Sequence, residues 1–240
     1  MRRPYLVSLS LLICGSVASP ASAVTLLLQE RGTFARSHAI HSPDFVEDIQ
    51  ASETQSFEAF DAMDTTRAQL QPLSAASSAS LTSSLGAQTI QASGTVTSTL
   101  MAPESDRRAQ TPADSFFEVF FNVTEVQPYR LRGQVSTQAT DAEAFALVEL
   151  AYYGIFVGVE HTAGGNEIND FDDTGTLSIG PYRLTAFALS HGEVAGEAAN
   201  PAAQASFEMI FEVPEPTPNS AAGVSLLVLA GLARAHRRSA

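Results

Sequence analysis

The chain has 240 residues and a formal net charge of −13 at pH 7, and all 13 of its basic residues are Arg. With both ends set aside, residues 24–213 hold 8 Arg against 25 Asp and Glu, a net of −17. A body this acidic repels nucleic-acid phosphates and anionic lipid surfaces, so nucleic acid is excluded as a partner. The single cysteine, Cys14, lies near the start, so disulfides, thiol catalysis and Cys-ligated zinc are excluded from the rest of the chain. The 45% hydrophobic content suffices for one domain with a sizeable core.

In chain order, residues 1–23 read as a signal peptide. Arg2 and Arg3 form the charged start, Tyr5 to Cys14 the apolar stretch, and Ala21-Ser22-Ala23 the small-residue cleavage site, with Ala21 and Ala23 in the recognition positions. Signal peptidase is then a processing partner, and the chain is exported across the inner membrane. A lipid-acceptor role for Cys14 is disfavoured by the bulky Ile13 before it.

Residues 24–212 form the expected domain. Glu30 to Pro112 is rich in Ser, Thr, Ala and Gln, but apolar residues still alternate there, as at Leu81, Ser83 and Leu85. That favours small-residue strands over a linker. Phe57 to Leu70, with Phe57, Phe60 and Met63 at near-helical spacing, is read as sheet because of Thr65-Thr66. From Phe116 the period of two is plain, in Phe116–Val123, Tyr129–Val135, Phe145–Leu150, Ile155–Val159, Tyr182–Ala188 and Phe207–Glu212. About nine or ten such strands, broken by Gly, Pro, Asn and Asp, predict an all-β, antiparallel β-sandwich of jelly-roll-like kind. A signal helix and a C-terminal hydrophobic helix would flank it.

Gly164 to Gly175 is the most acidic punctuated stretch, and it reads as a hairpin turn. Asp170, Asp172 and Gly175 match three places of an EF-hand loop, but Pro181 stands where a bidentate Glu is needed. Asp170, Asp172 and Asp173 are therefore candidates only for a looser calcium site, and no metal or other cofactor is otherwise expected. Asp173-Thr174-Gly175 spells the aspartic-protease signature without the second copy that chemistry requires. His38, His41 and Asp44 lack a metalloenzyme spacing, and no serine sits in a Gly-x-Ser-x-Gly elbow. Paired carboxylates of a hydrolase meet in space and leave no sequence signal. Trp is absent, so a sugar platform would fall to Tyr129, Tyr152, Tyr153 or Tyr182.

At the other end, Val213-Pro214-Glu215-Pro216 closes the last strand. An apolar run from Ala221 to Ala233 follows, and then Arg234, His236, Arg237 and Arg238. A short apolar span with terminal arginines reads as a membrane anchor whose basic end stays cytoplasmic. Pro-Glu-Pro, apolar run and Arg cluster in this order resemble the PEP-CTERM sorting domain, over residues 213–240. The resemblance implies processing by an exosortase-like membrane enzyme of Gram-negative-type bacteria that make exopolysaccharide. It also implies a destination at the cell envelope, cell surface or extracellular matrix. The expectation is a non-enzymatic structural or adhesive protein associated with exopolysaccharide. The alternatives are a carbohydrate-binding module, calcium-assisted or not, and a hydrolase with carboxylates assembled in space.

Overall fold

The computed structural model describes residues 24–41, 44–86, 88–102, 108–152, 155–195 and 199–214. The expected signal and C-terminal helices lie outside them. Among the described residues no helix is long and apolar enough to cross a membrane.

Twelve strands are present among the described residues. They are β1 (Val24–His41), β2 (Asp44–Thr54), β3 (Phe60–Leu70), β4 (Leu73–Leu85), β5 (Thr89–Met101), β6 (Arg108–Val123), β7 (Gln127–Thr140), β8 (Glu143–Tyr152), β9 (Ile155–Gly164), β10 (Glu167–Leu177), β11 (Gly180–Ala195) and β12 (Ala202–Glu212). This exceeds the nine or ten expected, for two reasons. The Ser/Ala-rich segment forms the complete β4–β5 hairpin. The acidic stretch read as a turn is mostly strand β10, laid along β7 from Glu167 to Leu177.

The strands build a β-sandwich. Sheet I has the order β2-β1-β6-β11-β8-β9 and sheet II the order β10-β7-β12-β5-β4-β3. Every pairing between these strands is antiparallel, from β1 with β2 to β8 with β9. Alternation decides which side chains meet. In β6 every second residue from Ala109 to Val123 is buried and the residues between are half-exposed.

The space between the sheets is filled unevenly along the strands. At one end Phe117, Phe121, Leu184, Phe207, Met209, Phe211 and Leu131 are fully or nearly fully buried. Phe121 and Phe211 meet there with ring centroids 5.4 Å apart. At the other end the inward residues are Ala39, Ala68, Ala75, Ala102 and Ala109 around Leu73, Leu100 and Val194. Toward this end, and at mid-strand in the case of Ser115, hydroxyls bridge directly from sheet to sheet. Ser98 Oγ lies 2.8 Å from Ser190 Oγ, Ser115 Oγ donates to the Ser80 carbonyl at 2.9 Å, and Ser77 Oγ donates to the Arg36 carbonyl at 2.8 Å. Side chains this short span the gap only because the sheets come close.

One buried cation closes the β1–β3 side. Arg31 is 0% exposed. Its guanidinium donates to Ser83 Oγ at 2.8 Å, to the Glu58 carbonyl at 2.7 Å and to the Ser56 carbonyl. It also lies 5.5 Å from the centre of the Phe60 ring. The segment that carries the chain from β2 in sheet I to β3 in sheet II is thereby pinned to both. Burial alone pulls the Arg31 pKa down, and the charge is spread over neutral oxygens. Nearby, Asp64 accepts from Thr33 Oγ1 at 2.5 Å and from Ser52 Oγ at 3.0 Å.

The two outer faces differ. That of sheet II is lined by hydroxyls and amides, with Ser78 Oγ 2.7 Å from Thr97 Oγ1 and Ser136 Oγ 2.8 Å from Ser206 Oγ. That of sheet I carries phenylalanines and leucines, with Asp114 among them. Burial holds the Asp114 carboxyl above the usual range.

Two outcomes follow from this packing. Phe207→Ala leaves a cavity where both sheets converge and should cost about 3–5 kcal/mol in denaturant unfolding. Asp114 is easier to accommodate protonated, so its contribution to stability is full below the ordinary Asp pKa of about 3.9 and is lost as pH rises through its raised folded value. Asp114→Asn should therefore melt a few degrees higher than the parent at neutral pH. The difference should vanish near pH 3, as read by calorimetry across pH.

Candidate functional site

The two sheets end side by side at edge strands β9 and β10, which are consecutive in the chain. The connection turns at Gly165, whose φ of 72° suits glycine. Just past it the edges are stitched together. The Gly164 N–H donates to Glu167 Oε2 at 3.3 Å, and Asn169 Nδ2 donates to the Thr162 carbonyl at 3.4 Å. His161 Nε2 lies 2.5 Å from Asp173 Oδ2. The His161 ring also stacks on Phe171, with centroids 4.2 Å apart and planes 6° from parallel.

Beyond the His161–Asp173 pair a cleft of about 490 Å³ opens, lined by Tyr129, Leu150, Tyr152, Gly158, Val159, Thr176, Leu177, Ser178 and Tyr182. Its three tyrosines come from three strands and are fixed in different ways. Tyr182 is nearly buried on β11, stacks on Phe121 at 5.6 Å and accepts a hydrogen bond from the Ser178 N–H at 2.9 Å. Tyr152, on β8, meets Tyr182 edge to face at 5.1 Å and 88°. Tyr129, on β7, leans on Phe211 at 6.0 Å. Burial, the Asp173 charge and Tyr182, in that order, push the Tyr129 hydroxyl upward, so it stays protonated and able to donate.

Glycine makes room for these rings. A Cβ on Gly175 would lie 2.6 Å from the Tyr129 ring, and one on Gly180, whose φ is 140°, would lie 2.3 Å from the Tyr152 hydroxyl. A cleft of this size, with apolar walls and a few oriented hydroxyls, has the makings of a small-molecule or glycan site.

The acidic candidates do not converge. Asp170 and Asp172 point outward from sheet II, where Gln134 Nε2 donates to Asp170 at 2.6 Å. Arg130 grips Asp172 with two bonds, of 2.7 and 2.6 Å. The bonds from Arg130 hold the Asp172 carboxyl below its usual range. Asp173 sits on the opposite face with His161. The expected wrapping turn is thus corrected to a strand, whose period of two sends neighbouring carboxylates to opposite sides. Among the described residues no three His, Cys, Asp or Glu side chains gather as a metal-ligand set. Asp173-Thr174-Gly175 lies within β10.

His38 is half-buried beside Phe45, with ring centres 6.3 Å apart. Burial is the main cause that keeps its imidazole below the usual pKa. The His41 side chain lies outside the described residues, as do Tyr153, Ala21, Ala23, Glu215, Pro216, Arg234, Arg237 and Arg238. Of the residues expected to form a sorting motif, Val213 is buried and its N–H donates to the Gln88 carbonyl at 2.8 Å, and Pro214 is exposed.

Among the described residues no carboxylate lines the tyrosine cleft. A second, shallower concavity of about 330 Å³ on sheet II includes Asp61 and Glu208. They stand at the ends of one cross-strand row, Asp61–Thr82–Ser93–Glu208. Three strand spacings, about 14 Å, separate their backbones, with only Thr82 and Ser93 between them in the row.

No family model and no curated protein matches this chain. Among solved structures it is similar to the carbohydrate-binding module TmCBM61 in complex with β-1,4-galactotriose, at 15% identity and a TM-score of 0.22, over 50% of this chain and 71% of that one. It is also similar to the enzymatically active domain of bacteriophage CBA120 tailspike protein 4, at 8% identity and a TM-score of 0.20. That match spans 64% of this chain but only 19% of the tailspike. An infectious bursal disease virus (Gx strain) structure matches at 10% identity and a TM-score of 0.17, over 82% of this chain and 64% of that one. Likenesses this slight carry no functional weight.

Three of the four candidate tyrosines meet in one cleft; nothing in the sequence assigns Thr176, Ser178 or Gly180 to it, and Gly175 stands out there only for its place in an EF-hand-like spacing and in Asp173-Thr174-Gly175. Gly180→Ala should displace Tyr152 and strain the backbone, lowering stability by about 1–3 kcal/mol. Near-UV circular dichroism should register the altered tyrosine environment.

Proposed function

We propose that this is an exported, non-catalytic glycan-binding protein, a jelly-roll-like sandwich that holds exopolysaccharide at the cell envelope or in the extracellular matrix. The observation that carries the reading is the cleft framed by Tyr129, Tyr152 and Tyr182. A sugar presents apolar C–H faces and a ring of hydroxyls. Tyrosine rings pack against the first, while phenolic, Thr176 and Ser178 hydroxyls bond the second. The aromatic stack on Phe121 and Phe211 holds this wall in place before ligand arrives, which lowers the ordering cost of binding. Calcium has no necessary part, because Asp172 is already satisfied by Arg130 and Asp170 by Gln134.

The ends of the chain fit this destination. The signal-peptide pattern over residues 1–23 provides export, and the PEP-CTERM-like segment over residues 213–240 provides retention until an exosortase-like enzyme cuts it.

Affinity electrophoresis in gels containing neutral galactan, glucan or mannan tests the cleft. The parent should be retarded by at least one of them. Tyr152→Ala should lose at least tenfold in affinity, about 1.4 kcal/mol, while melting a few degrees lower as a folded protein. Retardation that survives Tyr152→Ala and Tyr182→Ala alike would move binding away from the cleft. Intact-mass measurement on protein recovered from envelope and medium tests the ends. A chain running from Val24 to near Pro216 is expected. One still carrying Arg234 to Ala240 would make the C-terminus a plain anchor.

A further inference from the structure

The outer face of sheet I breaks the pattern expected of a solvated sheet. Its cross-strand register stacks two apolar rows. One joins Phe116, Phe187 and Leu147 on β6, β11 and β8. The next joins Phe34, Asp114, Leu189 and Phe145 on β1, β6, β11 and β8. Phe145 is 38% exposed, and the other apolar members are partly exposed. The two sheets are the only layers among the described residues, and nothing there lies over this face. Sheet II solves the same problem with hydroxyls and amides, so a sandwich of this sequence style does not need phenylalanines on an outer face. A contiguous apolar patch of this kind marks an interaction surface.

We propose that this face is a self-association surface, occupied by the same face of a second copy of the chain. Size and charge both point to that occupant. Five strands at about 4.8 Å and four rows at about 6.8 Å give about 600 Å² per copy, or about 1,200 Å² in total, the lower bound of stable interfaces. The apolar rows are flanked on one side by an acidic row, Glu30–Glu118–Thr185–Glu149–Glu160, in which Arg183 of the same face meets Glu149 at 2.9 Å and Glu118 at 3.9 Å. On the other side lie Arg36, which already bonds Glu47 of its own copy at 2.7 Å, then His191 and Glu143.

Two copies can face each other about a two-fold axis that runs either along the strands or along the rows. An axis along the strands sets four glutamates against the same four. An axis along the rows, passing between the two apolar rows, sets the acidic row of one copy against the Arg36–His191 row of the other. On β1, Arg36 of each copy then meets Glu30 of its mate. The second arrangement buries the phenylalanines and reduces the like-charge contacts to that of Glu149 with Glu143 of the mate, and isologous pairing of this kind closes at two copies. Asp114 lies inside the buried area, where its burial-raised carboxyl is easier to cover than an ordinary carboxylate.

Sedimentation velocity tests this on the chain beginning at Val24, both with and without residues 215–240, at tens of micromolar. A particle of twice the chain mass is expected in both forms. Phe145→Glu should give a monomer with an unchanged fold. Met63→Glu, at a 72% exposed position on the outer face of sheet II, should leave the dimer intact. Arg36→Glu should weaken association at least tenfold, and Arg36→Glu with Glu30→Arg should restore it. A monomeric parent, a dimer indifferent to Phe145→Glu, association that needs residues 215–240, or failure of the charge swap to rescue would each overturn the proposal. A monomeric parent that cosediments with phosphatidylcholine vesicles would reassign the face to a lipid surface.

Discussion

The gap between two sheets that share one layer of side chains sets most of what this structure does. Where Ala and Ser point inward, the sheets close until hydroxyls bond across them, as Ser98 does to Ser190 and Ser115 to the Ser80 carbonyl. Where Phe121, Phe211 and Tyr182 point inward, the same sheets must stand apart by at least a ring. The sandwich is a wedge, and the tyrosine cleft lies at its thick end. The His161–Asp173 contact marks the last point at which the two edge strands still hold each other. Past it, the aromatic packing that stabilises the core also props the cleft open.

A wedge needs its thin side secured by something other than hydrophobic area, because Ala and Ser bury little of it. Polar bonding takes that part. Toward the thin end Ser37, Thr66 and Ser77 bond one another and Ser98 bonds Ser190, while nearer the thick end Arg31 ties the β2–β3 crossover down through two carbonyls and Ser83, and Asp64 gathers Thr33 and Ser52 between them. Each bond contributes only about 0.5–1.5 kcal/mol net, but leaving any of these buried groups without a partner would cost more. The polar interior therefore acts as a specificity device: it favours one register of β1 against β3 and β4, since a slip by one residue would expose the bonded set and bury its outward neighbours.

The strands were legible wherever large apolar residues alternate with polar ones, as from Phe116 to Val123 or Phe207 to Glu212. They were half-legible in Leu73–Met101, where Ala and Ser mark an inward face that hydropathy barely distinguishes from an outward one. Asp170 to Gly175 was misread because Gly, Asn and Asp favour turns locally. Pairing with β7, which places Phe171 in the core and gives Asp172 to Arg130, overrode that preference. Tyr129, Tyr152 and Tyr182 were visible as candidates, but their meeting was not, because it depends on strand order within the two sheets. The apolar outer face of sheet I hid in the same way. Phe116, Phe187 and Phe145 sit in runs so rich in β-formers that both parities look like core, and only the register shows which parity points outward.

The ends of the described chain bring these threads together. Val24 pairs with Val123, which in turn pairs with Gly180, and Val213 bonds back to Gln88 just after Phe211. Both ends of the domain thus leave from the thick end of the wedge, beside Tyr129 and Tyr182. In the proposed reading, six residues, 215–220, separate this end from the apolar run that begins at Ala221. Fully extended, they span about 20 Å. A chain still held by that run would keep its cleft within about 20 Å of the bilayer, where headgroups crowd it and long polysaccharide reaches it poorly. Removing the run would release that constraint without any change in the domain. Retention and ligand capture would then be successive states of one molecule, ordered by where the tail leaves the sandwich. A carbohydrate site on the far, thin end would have no such dependence.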